Sequence, residues 1–255
     1  MRDSAISAPV VDLDRVVVTY GGGLFGRGGF QAVKAISLQI APGQTVGLVG
    51  ESGSGKTTLG RVCLGLQPLS SGTMRFCGEA FGALRQRRGQ LSVVLQHPEW
   101  ALNPRLRCGR SVEEPLVILG MPAKERRGRV AAMLENVGLD AGFAERFPGQ
   151  LSGGQRQRVA IARALITEPR FIVFDEAVSA LDVSVQAQVL NLIRELQDRH
   201  GFGALFISHD LAATRYISHR IAVMYQGEFV EVAEAARFYS TPEHPYSRKL
   251  MATIE

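Results

Sequence analysis

The string Gly50-Glu51-Ser52-Gly53-Ser54-Gly55-Lys56-Thr57-Thr58 constrains this chain more than any other feature. It follows the apolar run Thr45-Val-Gly-Leu-Val49 and leads into a helical pattern from Lys56 to Leu66. A short, continuous apolar run fits a strand buried on both faces, as in a parallel sheet covered by helices. Strand, glycine-rich loop and helix in that order place the chain in the α/β class. Gly50, Gly53 and Gly55 let the loop wrap a ligand without Cβ clashes. The wrapped N–H groups and the helix start present positive dipole ends, which suit a polyphosphate. In the G-x-x-x-x-G-K-[ST] spacing, Lys56 reaches the β- and γ-phosphates of a nucleoside triphosphate and the Thr57 hydroxyl ligates Mg²⁺.

Val10–Tyr20 and Ala35–Ile40 alternate enough to be strands. Gly21-Gly-Gly-Leu-Phe-Gly-Arg-Gly-Gly29 between them reads as a long flexible hairpin loop. Thr73–Phe76 and Leu91–Leu95 look like further strands. From about Ser111 to Leu165 the pattern turns helical, punctuated at Gly138, Gly142 and Pro148-Gly149, and reads as an insert in the α/β core. Alternation then resumes, with strands at Arg170–Phe174, Ala204–Ser208 and Arg220–Met224 and helices at Val183–His200 and Leu211–Ile217.

Ligands of an open parallel sheet sit beyond the carboxyl ends of its strands. Asp175 and Glu176 end the run Phe171-Ile-Val-Phe174. Asp175 is expected to hold the hydration shell of Mg²⁺, and Glu176 to orient or deprotonate an attacking water. Gln96 closes Leu91–Leu95, where its amide can touch Mg²⁺ or that water. Leu151-Ser152-Gly153-Gly154-Gln155 precedes a strong helix, Arg156–Leu165, so its glycines sit at a helix N-terminus, a ready anion site. The residues alone do not say where that anion comes from. Taken alone, Tyr20 is a core aromatic and His209 a structural histidine.

The 255 residues are 45% hydrophobic and 21% charged, enough core for one large or two modest domains. A net charge of +5 suits an anionic ligand or membrane face and is too small to imply nucleic acid. Arginine clusters near 85–88, 105–110 and 126–129 read as solvated faces. No apolar run approaches the ~18 residues needed to span a bilayer, and no signal-peptide core is present, so the chain is expected in the cytosol. Cys63, Cys77 and Cys108 lack C-x-x-C spacing and are expected to be reduced and structural. His97, His200, His219 and His244 show no metal-ligand spacing.

These motifs, in this order, resemble the ATP-binding-cassette ATPases over nearly the whole chain. In that resemblance Gly50–Thr58 is the Walker A loop, Gln96 the Q-loop and Leu151–Gln155 the signature. Asp175-Glu176 ends the Walker B strand, Ser179-Ala-Leu-Asp182 is the D-loop and His209 the switch histidine, touching the γ-phosphate. Tyr20 becomes the residue that stacks on adenine. The implied fold is a P-loop NTPase core with a mostly parallel sheet, an antiparallel β subdomain and an inserted α-helical subdomain. Residues 1–96 and 166–235 would form the core and β subdomain, 97–165 the helical signature subdomain and 236–255 a C-terminal helical tail.

The resemblance also implies that two cassettes pack head to tail. Ser152, Gly153, Gly154 and Gln155 of one would then cap the ATP on the phosphate loop of the other, and Asp182 of the D-loop would also be a nucleotide-binding residue. The partners implied are a second cassette ATPase, a paralogue rather than a copy, transmembrane permease subunits and, indirectly, a solute-binding protein, with no nucleic acid. The place implied is the cytoplasmic face of the plasma membrane. The segment Pro98–Glu114, carrying Trp100, Leu102 and Leu106, is expected to dock on the permease.

Within the family, Glu51-Ser-Gly-Ser-Gly55, Leu102-Asn-Pro-Arg105, Leu181-Asp-Val-Ser-Val-Gln-Ala-Gln188 and His244-Pro-Tyr-Ser-Arg248 are similar to peptide and nickel importers. Ala177-Val178, where that group usually has Pro-Thr, tilts the expected cargo toward a metal chelate. No iron–sulfur cluster is expected. The alternative is a cassette ATPase without a membrane partner that works on nucleic acid or ribosomes. Intact Lys56, Glu176 and His209 argue against a cassette with no turnover.

Overall fold

The computed structural model describes residues 8–21 and 29–252. The glycine-rich loop read at 21–29 therefore lies, apart from its end glycines, outside the described residues. The chain forms β1 (Val11–Tyr20), β2 (Phe30–Ile40), β3 (Thr45–Val49), α1 (Lys56–Cys63), β4 (Ser71–Phe76) and β5 (Glu79–Ala80). There follow β6 (Leu91–Leu95), α2 (Cys108–Ile118), α3 (Ala123–Asn136), α4 (Gly153–Leu165), β7 (Phe171–Asp175) and α5 (Val183–His200). The last elements are β8 (Gly203–Ile207), α6 (Leu211–Ile217), β9 (Arg220–Tyr225), β10 (Glu228–Glu234), α7 (Ala235–Ser240) and α8 (Pro245–Met251). They group into two compact units, 1–86 with 203–255, and 87–202.

In the first unit, β2, β1, β4 and β5 form an antiparallel sheet in that order. Val11, Leu13, Val16 and Val18 of β1 change phase in the middle, yet all four are buried, while Val17 between the last two is only half-buried. The pairing with β2 slips between Leu13 and Val16, where Arg15 has φ 45°. The extra residue of this bulge restores the phase, so both halves of β1 face the core.

The unit's other strands run β10, β9, β3, β8, with β3 parallel to both β8 and β9. β3 and β8 are buried along their whole length, the burial their unbroken apolar runs require. Helix α1 packs on β8 and α6 on β3. The helix expected to reach Leu66 stops at Cys63, and Gly65 takes φ 68° just beyond it.

Strand β10 has no counterpart among the strands that the sequence pattern predicts. It returns along β9 through a two-residue turn, Gln226-Gly227, with φ 47° and 88°. Both central residues at positive φ suit the right-handed twist of the flanking strands, and Gln-Gly is a weaker announcement of that turn than Asn-Gly. Beyond it, Phe238 of α7 is buried against Val49, Leu211, Ile221 and Val223. The C-terminal helices are thereby fastened to the carboxyl end of β3.

In the second unit, β6 and β7 pair in parallel from Leu91 opposite Phe171 to Leu95 opposite Asp175. Helices α2, α3 and α4 pack on one another, and α4 also packs on β6 and α5. Glu113 of α2 is buried and accepts from Arg126 Nε on α3 at 2.7 Å and from Arg110 at 2.6 Å. The Arg126 hydrogen bond holds its carboxyl below the usual glutamate range, with Arg110 adding to it against the opposing effect of burial.

Leu102 corrects the expected docking face. It is only 1% exposed, whereas Trp100 is 71% exposed and carries the apolar surface of that segment together with the exposed Leu106. All three cysteines are free, and burial pushes the Cys63 thiol up to about 12. No helix among the described residues is long and apolar enough to cross a membrane.

Candidate functional site

The phosphate loop leaves the carboxyl end of β3 and closes on its own lysine. Lys56 Nζ donates to the carbonyl oxygens of Gly50 and Glu51, each at 2.7 Å, and the side chain is 8% exposed. Gly55 is the residue before α1, with φ 108° and no side chain to cap the helix, so the helix start is open to a ligand. Gly50 has φ 149°, and a Cβ there would lie 2.1 Å from the Met224 carbonyl oxygen. The buried Ser54 hydroxyl has no hydrogen-bond partner among the described residues. A curved loop of N–H groups, an ammonium held above it and an unsatisfied hydroxyl fit a polyphosphate.

Two other expected residues belong to this unit. The Tyr20 hydroxyl, at the end of β1, donates to Gln67 Oε1 at 3.0 Å and lies 3.4 Å from Thr58 Oγ1. This ties the partly exposed ring to the start of α1. Leu48 of β3 pairs with Ile207 of β8 in parallel, so Gly50 and His209 each stand two residues beyond a paired position on neighbouring strands. Asp210 then caps α6, accepting from the Ala213 N–H at 3.0 Å, which fixes the turn carrying His209.

In the second unit the Leu95–Asp175 pairing brings Gln96 and Asp175-Glu176 to the same end of two parallel strands. Glu176 has φ 51°, a left-handed backbone that costs a non-glycine residue about 1–2 kcal/mol. Its carbonyl accepts from both the Ser179 N–H at 3.1 Å and the Ser179 hydroxyl at 2.9 Å, and Ala177 and Val178 behind it are buried. Those contacts hold the glutamate in its strained position. Asp175 and Gln96, like Thr57 of the first unit, offer only oxygen donors of the kind Mg²⁺ takes.

At the start of α4, Ser152 Oγ accepts from the Gln155 N–H at 3.3 Å, and Gln155 Oε1 accepts from the Ser152 N–H at 3.0 Å. This capping box leaves the N–H groups of Gly153 and Gly154 without intrahelical partners. A Cβ on Gly154 would come 2.5 Å from a Val185 methyl of α5, so glycine here lets that side chain pack against the start of α4. Asp182 caps α5, accepting from the Val185 N–H at 2.9 Å and the Ser184 hydroxyl at 2.8 Å. The Val185 bond, then Ser184, holds its carboxyl below the usual range.

Sequence reading missed what surrounds the phosphate loop. Tyr246 of α8 accepts from the Glu51 N–H at 3.0 Å. The Gly227 N–H donates to the Ser54 carbonyl at 2.9 Å. The string His244-Pro245-Tyr246 was visible, but nothing local shows that it meets a residue 195 positions away.

A family model described as ABC transporter matches residues 33–179. A protein of Brucella abortus (strain 2308) named for peptide import ATP binding is 49% identical over 236 residues, covering 90% of this chain and 71% of that one. The glutathione import ATP-binding protein GsiA of Pectobacterium atrosepticum is 44% identical over 260 residues, covering 98% of this chain. The match takes in only 42% of GsiA's length. Among solved structures, the ATP-binding cassette MJ0796, as a dimer in a post-hydrolysis state with ADP and Pi, aligns with a TM-score of 0.77 at 32% identity, over 88% of this chain and 98% of that one. CbiO1 of Clostridium perfringens, part of the ABC transporter complex cbiONQ, shares the fold, with a TM-score of 0.82 at 24% identity over 92% of each chain.

Proposed function

Because the chain belongs to the ABC transporter family, we propose that it is the ATP-hydrolysing, energy-coupling subunit of a bacterial importer. The observation that carries this reading is the phosphate loop closed on Lys56 above an uncapped helix start. The ammonium and the α1 N–H groups bind the phosphates, and Tyr20 stacks on the adenine. Thr57, Gln96 and Asp175 would hold Mg²⁺, which supplies charge neutralisation on the phosphate oxygens. Glu176 takes the proton of the attacking water, and His209 contacts the γ-phosphate. Glu51, Ser52, Gly53, Ser54 and Thr58 complete the phosphate cradle.

The signature acts in trans. Gly153 and Gly154 present free N–H groups at a helix start, and Ser152, Gln155 and Asp182 shape that start. ATP bound between two such subunits favours closure, and hydrolysis permits opening. A mixed assembly tests this, with Ser152→Arg on this chain and an alanine at the partner cassette's phosphate-loop lysine. In trans, both lesions fall in one composite site, and the other retains nucleotide trapping. Loss of trapping at both sites rejects the arrangement.

The subunit works beneath a membrane permease, peripheral to the membrane, with Trp100 and not Leu102 offering the apolar contact. The partner is a second cassette ATPase, a paralogue before a copy. The relatives' names favour an importer over a cassette acting on nucleic acid or ribosomes. They also favour peptides as cargo, glutathione included, over the nickel chelate toward which Ala177-Val178 tilts. In a strain lacking this gene, uptake of labelled dipeptide or glutathione should fall and uptake of labelled nickel should not. Unchanged peptide uptake defeats the cargo assignment and leaves the ATPase assignment standing.

A further inference from the structure

The phosphate loop is braced from outside by the C-terminal part of its own unit. On one side stands the β9–β10 turn, where the Gly227 N–H donates to the Ser54 carbonyl and the Gly227 carbonyl accepts from the Lys34 N–H at 2.8 Å. On the other side stands α8, whose Tyr246 hydroxyl accepts from the Glu51 N–H at 3.0 Å.

The string His244-Pro245-Tyr246 explains how that hydroxyl is aimed. His244 Nδ1 accepts from the Tyr246 N–H at 3.2 Å and caps the helix. Pro245 takes the first helical position, where a missing N–H costs nothing. Glu231 of β10 accepts from the N–H groups of Glu243 and His244, each at 3.0 Å, and so sets the approach of the chain. The Tyr246 ring lies against Tyr225, with centroids 4.4 Å apart, and packs on the cluster around Phe238. The hydroxyl is therefore held by a capped helix, a ring contact and a clamped loop.

We propose that Tyr246 is a positioning residue for ATP, acting through the backbone of the phosphate loop. The Glu51 N–H and the Gly50 carbonyl belong to one planar peptide. Tyr246 holds one end of that plane, and the Lys56 ammonium is bound to the other. Turning the plane to satisfy the N–H elsewhere would carry the Gly50 carbonyl, and with it the ammonium, out of place. The hydroxyl thus sets the phosphate-binding charge before nucleotide arrives, a case of preorganisation. The inference rests on the ATP-binding reading of this loop.

Tyr246→Phe removes the hydroxyl and keeps the ring. Losing the acceptor of this N–H should raise the Kd of a fluorescent ATP analogue on the full chain by roughly three- to tenfold. The kcat of the assembled transporter at saturating ATP should change less than twofold. Tyr239→Phe is the control, because it removes a hydroxyl that donates to the Leu211 carbonyl at 2.8 Å in the same C-terminal segment. It should match Tyr246→Phe in thermal stability and leave the Kd unchanged.

Lys56→Ala separates the two layers of the argument. If it binds nucleotide like the wild type, the ATP reading of the loop fails. If it loses binding, the inference is overturned by wild-type affinity in Tyr246→Phe or by equal weakening in Tyr239→Phe.

Discussion

Glu176→Gln should lower ATP hydrolysis by roughly 10²–10⁴-fold while ATP binding survives, the range expected when a positioned general base is lost. The exchange keeps the size and hydrogen-bonding reach of the side chain and removes its capacity to take a proton. The backbone should not relax, because the φ of 51° is enforced by the two Ser179 bonds to the Glu176 carbonyl and by the buried Ala177-Val178 pair. A loss of turnover in this variant is therefore a loss of chemistry and not of fold. Bound ATP should then hold the cassette pair closed, visible as a stable dimer on size exclusion in ATP but not in ADP. The measurement is steady-state phosphate release from the assembled complex. Turnover within about threefold of the wild type would remove Glu176 from the reaction, since base catalysis is worth far more than that.

Gly55→Ala should weaken ATP binding by roughly 100-fold or more. An added Cβ would lie 2.2 Å from the Ala32 carbonyl oxygen, which is backbone of β2 and cannot swing aside. The φ of 108° adds strain that an L side chain rarely tolerates. Two such penalties, about 3 kcal/mol together, correspond to about two decades in Kd. The chain can escape only by moving the loop off β2, which unseats the first turn of α1 and its N–H groups from the phosphates. Gly53→Ala is the comparison, because it shares a positive φ of 79° but an added Cβ there would meet nothing within 4 Å. It should cost much less. Equal affinities for the two variants, by titration with a fluorescent ATP analogue, would show that contact with β2 does not shape the loop.

How the site was legible differs from residue to residue. Lys56, Thr57 and the loop glycines were legible because their spacing is itself the structure, a tight loop running straight into a helix start. Asp175, Glu176, Gln96 and His209 could each be put at a strand end, because a continuous apolar run followed by polar residues marks where a buried strand stops. That β6 lies beside β7, with Leu95 opposite Asp175, could not be read, because parallel register between strands so far apart in the chain has no local signature. Asp182 was placed through a family motif, and only the folded chain shows it capping α5.

The α/β class, the phosphate loop and the order of the main strands and helices follow from short-range spacing and from runs of apolar residues, which any reader of the chain can see. The rest came from contacts between distant parts of the chain. The bulge at Arg15 turns an irregular pattern into two buried half-strands, a result that depends on the partner strand. The fate of Leu102 and Trp100 was set by packing, since both are apolar in the same segment and only one found a core to enter. The hold of Tyr246 on Glu51 required β10 to return, α7 to bury Phe238 and α8 to be capped by His244. Each of those steps is a contact between distant parts of the chain, decided by which surfaces meet once the strands have paired, and periodicity carries no record of that.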